Sequence, residues 1–133
     1  MNEKNYFTST ELDTVVKILN LIKSIRVEHK NKSDGFKYGT FAKMFEDEPS
    51  TNEKCLDKIL NEQTTSFLRK LCGFMVMGRD VYSGWSTNLQ NCYQAMLDNS
   101  DLSVKENAIG YFLGKDPVQL ENYLSSAMKA YNS

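Results

Sequence analysis

The chain has 133 residues, 41% hydrophobic and 25% charged, which is the composition of one ordinary globular domain (1–133) and not of a disordered protein. Its formal net charge of −1 gives no bulk field to attract nucleic acid or an anionic membrane, and we expect neither as a partner. The apolar run at 64–79 is shorter than the about 20 residues of a membrane span, and the amino terminus has no apolar signal core, so we expect a cytoplasmic protein.

The first helix is predicted to begin near Ser9 or Thr10, with Thr10 as its N-cap, and to end near Glu28. Apolar residues at helical spacing form a broad stripe on it: Leu12, Val15, Val16, Ile18, Leu19, Leu21, Ile22 and Ile25. Because the stripe is wide, we expect this helix to pack against two neighbours. His29 follows it, and since the sequence offers no catalytic partner at a recognisable spacing, we interpret His29 as a structural or surface residue.

The next part of the chain is predicted to contain two short helices. Helical spacing at 41–45 indicates one that ends before Pro49, because the residue before a proline avoids the helical region. The acidic run at 46–48 lacks the alternating oxygen ligands of a calcium loop, so we interpret it as a solvated helix end. Ser50 and Glu53 form a capping box that begins the second short helix. Its predicted inward residues are Cys55, Leu56, Ile59 and Leu60.

The most apolar stretch, 64–79, predicts the helix around which the others pack. Its second half is apolar on every side, and such a helix must be covered on every side. We place this central helix at about 62–78, with Asn61 as its N-cap and with Gly78 ending it in a left-handed conformation. Gly73 lies in its interior, where glycine favours the close approach of a neighbouring helix.

Three more helices are predicted in the carboxyl-terminal half. The first begins at Trp85 and presents one apolar face: Trp85, Leu89, Cys92, Tyr93, Met96 and Leu97. The second follows a capping box of Ser103 and Glu106, and the third follows a box of Asp116 and Gln119. The predicted fold is therefore all-α, a compact single-domain bundle of six or seven helices around a buried central helix.

The chain shows no recognisable catalytic or metal-binding pattern. Its three cysteines, Cys55, Cys72 and Cys92, each fall at an apolar position of a predicted helix, and we expect buried, inert thiols. The sequence has no Cys-x-x-Cys spacing and one histidine, so we predict no metal site, no cofactor and no catalytic residue. Glycine-rich phosphate loops and the GxSxG nucleophile motif are also missing from the sequence, which therefore does not indicate an enzyme.

The most specific cluster of polar and aromatic side chains follows the central helix. Its members are Arg79, Asp80, Tyr82 and Trp85, which we name as the candidate binding site. One interpretation is a recognition surface, because tyrosine, tryptophan and arginine are enriched at binding hot spots. The alternative is that Arg79 pairs with Asp80 or caps the helix end, while Trp85 fills the core.

Short motifs in the carboxyl-terminal half carry a family resemblance. They are FMVMGRD at 74–80 followed by Trp85, then Ala108, and YFLG at 111–114 before Pro117 and Tyr123. Together with the helix at 15–26, they resemble a small bacterial family catalogued as domain of unknown function 3775, in which a Gly-Arg-Gly-Asp-like corner precedes a tryptophan. The second glycine of that corner is missing here, and the spacing from Gly114 to Tyr123 is longer by one or two residues. The resemblance implies a small helical cytoplasmic protein with no established activity and no functional residues to carry over.

Three functions are consistent with these patterns. The leading hypothesis is a non-enzymatic helical module that docks on another protein, such as a regulator or inhibitor encoded with a mobile element. An exposed patch of aromatic residues would support it. The second is a small-ligand-binding or enzymatic domain with a cleft at the 79–85 corner, which a deep pocket with converging polar groups would support. The third is a homodimeric structural protein.

Overall fold

The computed structural model describes residues 5–32 and 50–132, with side chains described for 5–28 and 50–132. Six α-helices occur in these ranges: α1 Ser9–Lys32, α2 Thr51–Asn61, α3 Thr65–Tyr82, α4 Leu89–Asp98, α5 Lys105–Phe112 and α6 Pro117–Tyr131. A short 3-10 helix, Ser100–Ser103, lies between α4 and α5, and the described ranges contain no strand. The predicted all-α bundle is confirmed.

The predicted central helix is α3, and it is enclosed as its composition requires. Residues 71–78 are all buried, and α4, α5 and α6 pack against the helix. Both predicted boundaries are wrong. The side chain of Thr64 accepts a hydrogen bond from the Phe67 amide as the N-cap, whereas Asn61 is the last residue of α2. Gly78 does not end α3, which continues for another turn.

Two glycines let neighbouring helices approach α3 closely. A Cβ placed on Gly73 would lie 3.0 Å from the Cα of Tyr93 in α4, which confirms the predicted close approach. At Gly78 the contact is tighter, since a Cβ there would lie 1.9 Å from the carbonyl oxygen of Tyr123 in α6. Gly78 is therefore used for packing between helices, and this explains why it lies inside α3.

The amino-terminal segment contributes to the core, which helical periodicity did not predict. Tyr6 and Phe7 are both buried although they precede α1. The Tyr6 hydroxyl donates a hydrogen bond of 2.7 Å to the carbonyl oxygen of Lys70 in α3. The Phe7 amide donates one of 3.2 Å to the hydroxyl oxygen of Tyr131 in α6. These bonds join the start of the described chain to two helices that lie far from it in sequence.

The first helix begins one residue after a reciprocal cap. The Thr8 hydroxyl oxygen accepts from the Glu11 amide, and a Glu11 carboxylate oxygen accepts from the Thr8 amide. Thr8 is therefore the N-cap, and the predicted cap, Thr10, lies inside the helix. The helix extends to Lys32 and not only to Glu28. It packs against α2 and α6, which confirms the two predicted neighbours.

Two of the three predicted capping boxes are present. Both reciprocal bonds occur in the boxes of Ser50 with Glu53 and of Asp116 with Gln119. The third box is not formed, because Ser103 belongs to the 3-10 helix and α5 begins one residue later than predicted. Val104 is the N-cap residue of α5, and its side chain makes no capping bond.

The predicted burial of the cysteines is confirmed at two of three positions. Cys72 and Cys92 are buried, whereas Cys55 is exposed, so its assignment to the inner face of α2 is wrong. Burial raises the pKa of the Cys72 thiol from 9.0 to about 12, which keeps it protonated at neutral pH. A protonated, enclosed thiol is a poor nucleophile, in agreement with an inert role for Cys72.

Some predictions fall on residues that the structure does not describe. These are the short helix at 41–45, the acidic run at 46–48 and the environment of the His29 side chain. Within the described ranges, none of the helices combines the length and the hydropathy needed to cross a membrane.

Candidate functional site

The segment after α3 is a tight helix-ending turn with Gly84 at its centre. Gly84 has φ +80°, in the left-handed region that favours glycine. The Trp85 amide donates to the Asp80 carbonyl oxygen at 2.9 Å, and the Gly84 amide donates to the Val81 carbonyl oxygen at 3.0 Å. This pair of bonds defines a Schellman motif. Gly84 is therefore the left-handed residue that ends α3, a role that the sequence analysis assigned to Gly78.

Trp85 neither fills the core nor begins the next helix, which corrects both expectations. Trp85 is 68% exposed, and α4 begins four residues later at Leu89, with Asn88 as N-cap. In a Schellman motif, the residue at the position of Trp85 frequently packs on an apolar side chain at the start of the last helical turn. Those earlier positions are Arg79 and Asp80 here, so the motif lacks the usual apolar contact for the indole ring.

Two more exposed hydrophobic residues lie within four positions of Trp85 in the chain, and we call the three residues the exposed corner: Val81, Tyr82 and Trp85. Tyr82 is 59% exposed, and its ring centroid lies 6.0 Å from that of Tyr123 in α6 at an angle of 62°. Val81 is 38% exposed. Among the described residues, the other exposed large hydrophobic side chains are Val16, Val27, Leu97 and Val104. Tyr82 and Trp85 are the aromatic residues among these exposed hydrophobic residues, and both belong to the exposed corner.

Arg79 and Asp80 form an ion pair at the edge of the exposed corner. Nη2 of Arg79 lies 3.3 Å from Oδ1 of Asp80, as one of the sequence interpretations expected. The Arg79 side chain is 41% exposed and that of Asp80 is 16% exposed. Burial raises the pKa of Tyr111 in α5, and the positive charge of Arg79 acts in the opposite direction.

The cavity beside this corner is small. It has a volume of about 80 Å³ and is lined in part by Met77, Val81, Leu89 and Tyr131. Sites for small molecules usually have volumes of about 300–1,000 Å³. None of the four predicted site residues lines this cavity, so it gives no support to a ligand-binding cleft at 79–85. In the part of the chain that the structure describes, no cluster of His, Cys, Asp and Glu side chains could hold a metal ion.

The sequence named four residues here, and all four lie on the last turn of α3 or its cap. It missed three others: Val81 in the exposed corner, Gly84 in the turn and Tyr123 under Tyr82. The turn itself lies inside the corner that the sequence predicted, and the pair Ser83-Gly84 is the signal that marks it. No local signal could have located Tyr123, because its contact with Tyr82 depends on how α6 crosses α3.

Comparison with protein-family models, with curated proteins and with solved structures gives no match for this chain. The resemblance to domain of unknown function 3775 therefore stays a prediction.

Proposed function

We propose that this protein is a helical interaction module that docks on another protein through the exposed corner of Val81, Tyr82 and Trp85. The observation that carries the proposal is the 68% exposure of Trp85, because exposing so large an apolar ring to water is unfavourable until a partner covers it. Tryptophan and tyrosine are also the residue types that most often dominate binding energy at protein interfaces.

The backbone of the exposed corner and the ring of Tyr82 are held in place before a partner binds. Two backbone hydrogen bonds fix the turn at Trp85, and Tyr82 rests against the ring of Tyr123. The helix that carries the corner is itself anchored by the buried residues 71–78. Ordering a flexible side chain on binding costs about 0.5–1.5 kcal/mol, so the Tyr82 ring, which is already packed, keeps more of its binding energy.

The chemistry of the corner indicates what the partner should offer. An apolar pocket would take the indole of Trp85, and a hydrogen-bond acceptor there would pair with its ring N–H. Because Arg79 and Asp80 already pair with each other and the net charge is −1, long-range electrostatic attraction should contribute little. We therefore expect an affinity that changes little with salt concentration.

Affinity purification from the native host tests the proposal directly. Wild type, Trp85→Ala and Tyr82→Ala are compared with Val27→Ala, which truncates an exposed hydrophobic residue of α1, 55% exposed and outside the corner. We expect one protein to co-purify with wild type and with Val27→Ala and to be lost with Trp85→Ala. Circular dichroism and urea unfolding of each variant show whether it is folded.

The purified partner then allows a quantitative test. We expect Trp85→Ala to raise Kd by about 30-fold, which corresponds to the roughly 2 kcal/mol of a hot-spot residue. Equal binding by wild type and by folded Trp85→Ala would contradict the proposal. A solution mass of twice one chain that Trp85→Ala halves would also contradict it, because the corner would then join two copies as in the homodimer hypothesis.

A further inference from the structure

We draw no further inference here: the strongest candidate, the open apolar depression between α1 and α2 lined by Leu21, Cys55 and Ile59, carries nothing because nothing in the structure shows what covers it.

Discussion

At the scale of single residues, Gly78 occupies a position that has no room for a methyl group. A Cβ there would lie 1.9 Å from the Tyr123 carbonyl oxygen and 2.8 Å from its carbon, so α3 and α6 would have to separate. We expect Gly78→Ala to lower the free energy of unfolding by about 2 kcal/mol, because this strain exceeds the about 1 kcal/mol that alanine gains over glycine in a helix. Urea unfolding followed by circular dichroism measures the difference.

Gly110 provides the matched control for that substitution. It lies inside α5, it is exposed, and a Cβ added there would have no other heavy atom within 4 Å beyond its own helix backbone and chain neighbours. Gly110→Ala should therefore show the helix-propensity gain alone, a stabilisation of about 0.5–1 kcal/mol. If Gly78→Ala stabilised the protein by a similar amount, the close packing of α3 against α6 would be wrong.

Tryptophan fluorescence can measure the exposure of Trp85, because it is the only tryptophan in the chain. We expect the emission of the folded protein to resemble that of a hydrated indole and to shift little on unfolding in urea. Acrylamide should quench the folded protein about as efficiently as it quenches a free tryptophan derivative. Emission at short wavelength that moves to long wavelength on unfolding would show a covered ring, and would remove the main support for docking at the exposed corner.

The sequence identified Trp85 as a candidate but could not determine its environment. Its spacing from Leu89 and Cys92 fits one apolar face of a helix, and that pattern predicted a helix beginning at Trp85. In the structure Trp85 lies between two helices, because Gly84 ends α3 before it and Asn88 caps the start of α4 after it. Glycine is used both to end helices and to pack them, so sequence alone does not show which glycine has which role.

At the scale of secondary-structure elements, α5 begins without a side-chain cap. Val104 has φ −96° and ψ 126°, the extended conformation that N-cap residues adopt, and its side chain is 51% exposed. A serine hydroxyl at this position could accept a hydrogen bond from an amide of the first turn. We expect Val104→Ser to raise the free energy of unfolding by about 1 kcal/mol, again measured in urea.

Asp116→Ala removes an existing side-chain cap from α6, whereas Val104→Ser adds one to α5. A carboxylate oxygen of Asp116 accepts a hydrogen bond of 2.8 Å from the Gln119 amide at the start of α6, and its loss should cost about 1 kcal/mol. The two variants together test whether capping limits stability at each helix. If Asp116→Ala destabilised the protein as expected and Val104→Ser destabilised it too, then α5 would not be lacking a side-chain cap.

Capping patterns show how far a local motif predicts an element. The pattern of Ser or Thr followed three residues later by Glu is correct at Ser50, and it also occurs at Thr8, where it was missed in favour of Thr10. At Ser103 the same pattern fails, because the Ser103 hydroxyl donates to the Ser100 carbonyl oxygen at 2.7 Å within the 3-10 helix. A four-residue motif contains no information about such a competing bond.

At the scale of the whole molecule, the burial of α3 could be predicted but the closure of the bundle could not. Hydrophobicity on all sides of 71–78 required neighbours, and the structure provides them. The aromatic cluster of Phe7, Phe74 and Tyr131, with ring centroids 5.1–5.9 Å apart, joins the amino-terminal segment to the last helix. Phe7 precedes α1, so no helical periodicity could have shown its role.

Two buried groups, the Tyr6 hydroxyl and the Cys72 thiol, predict that the protein loses stability in alkaline solution. Burial, helped by the neighbouring Tyr93, raises the pKa of Tyr6 above its ordinary value of 10.0, and burial raises the pKa of Cys72 to about 12. Both groups stay protonated in the folded protein at a pH where the unfolded chain already releases the proton. Stability should therefore be fully present below about pH 9 and fall above it, by about 1.4 kcal/mol per pH unit for each group that only the unfolded chain has ionised.

Unfolding in urea between pH 8 and pH 11 separates the two groups. Tyr6→Phe should cost about 1 kcal/mol at neutral pH, because the hydrogen bond to the Lys70 carbonyl is lost, and it should reduce the fall in stability above about pH 10. Cys72→Ala should instead reduce the fall that begins near pH 9. Tyr82→Phe removes the hydroxyl of a tyrosine that is 59% exposed and serves as the matched control variant. A folded Tyr6→Phe variant with the wild-type slope above pH 10 would mean that water reaches the Tyr6 hydroxyl, so the amino-terminal segment could not be packed on α3 and α6 as described.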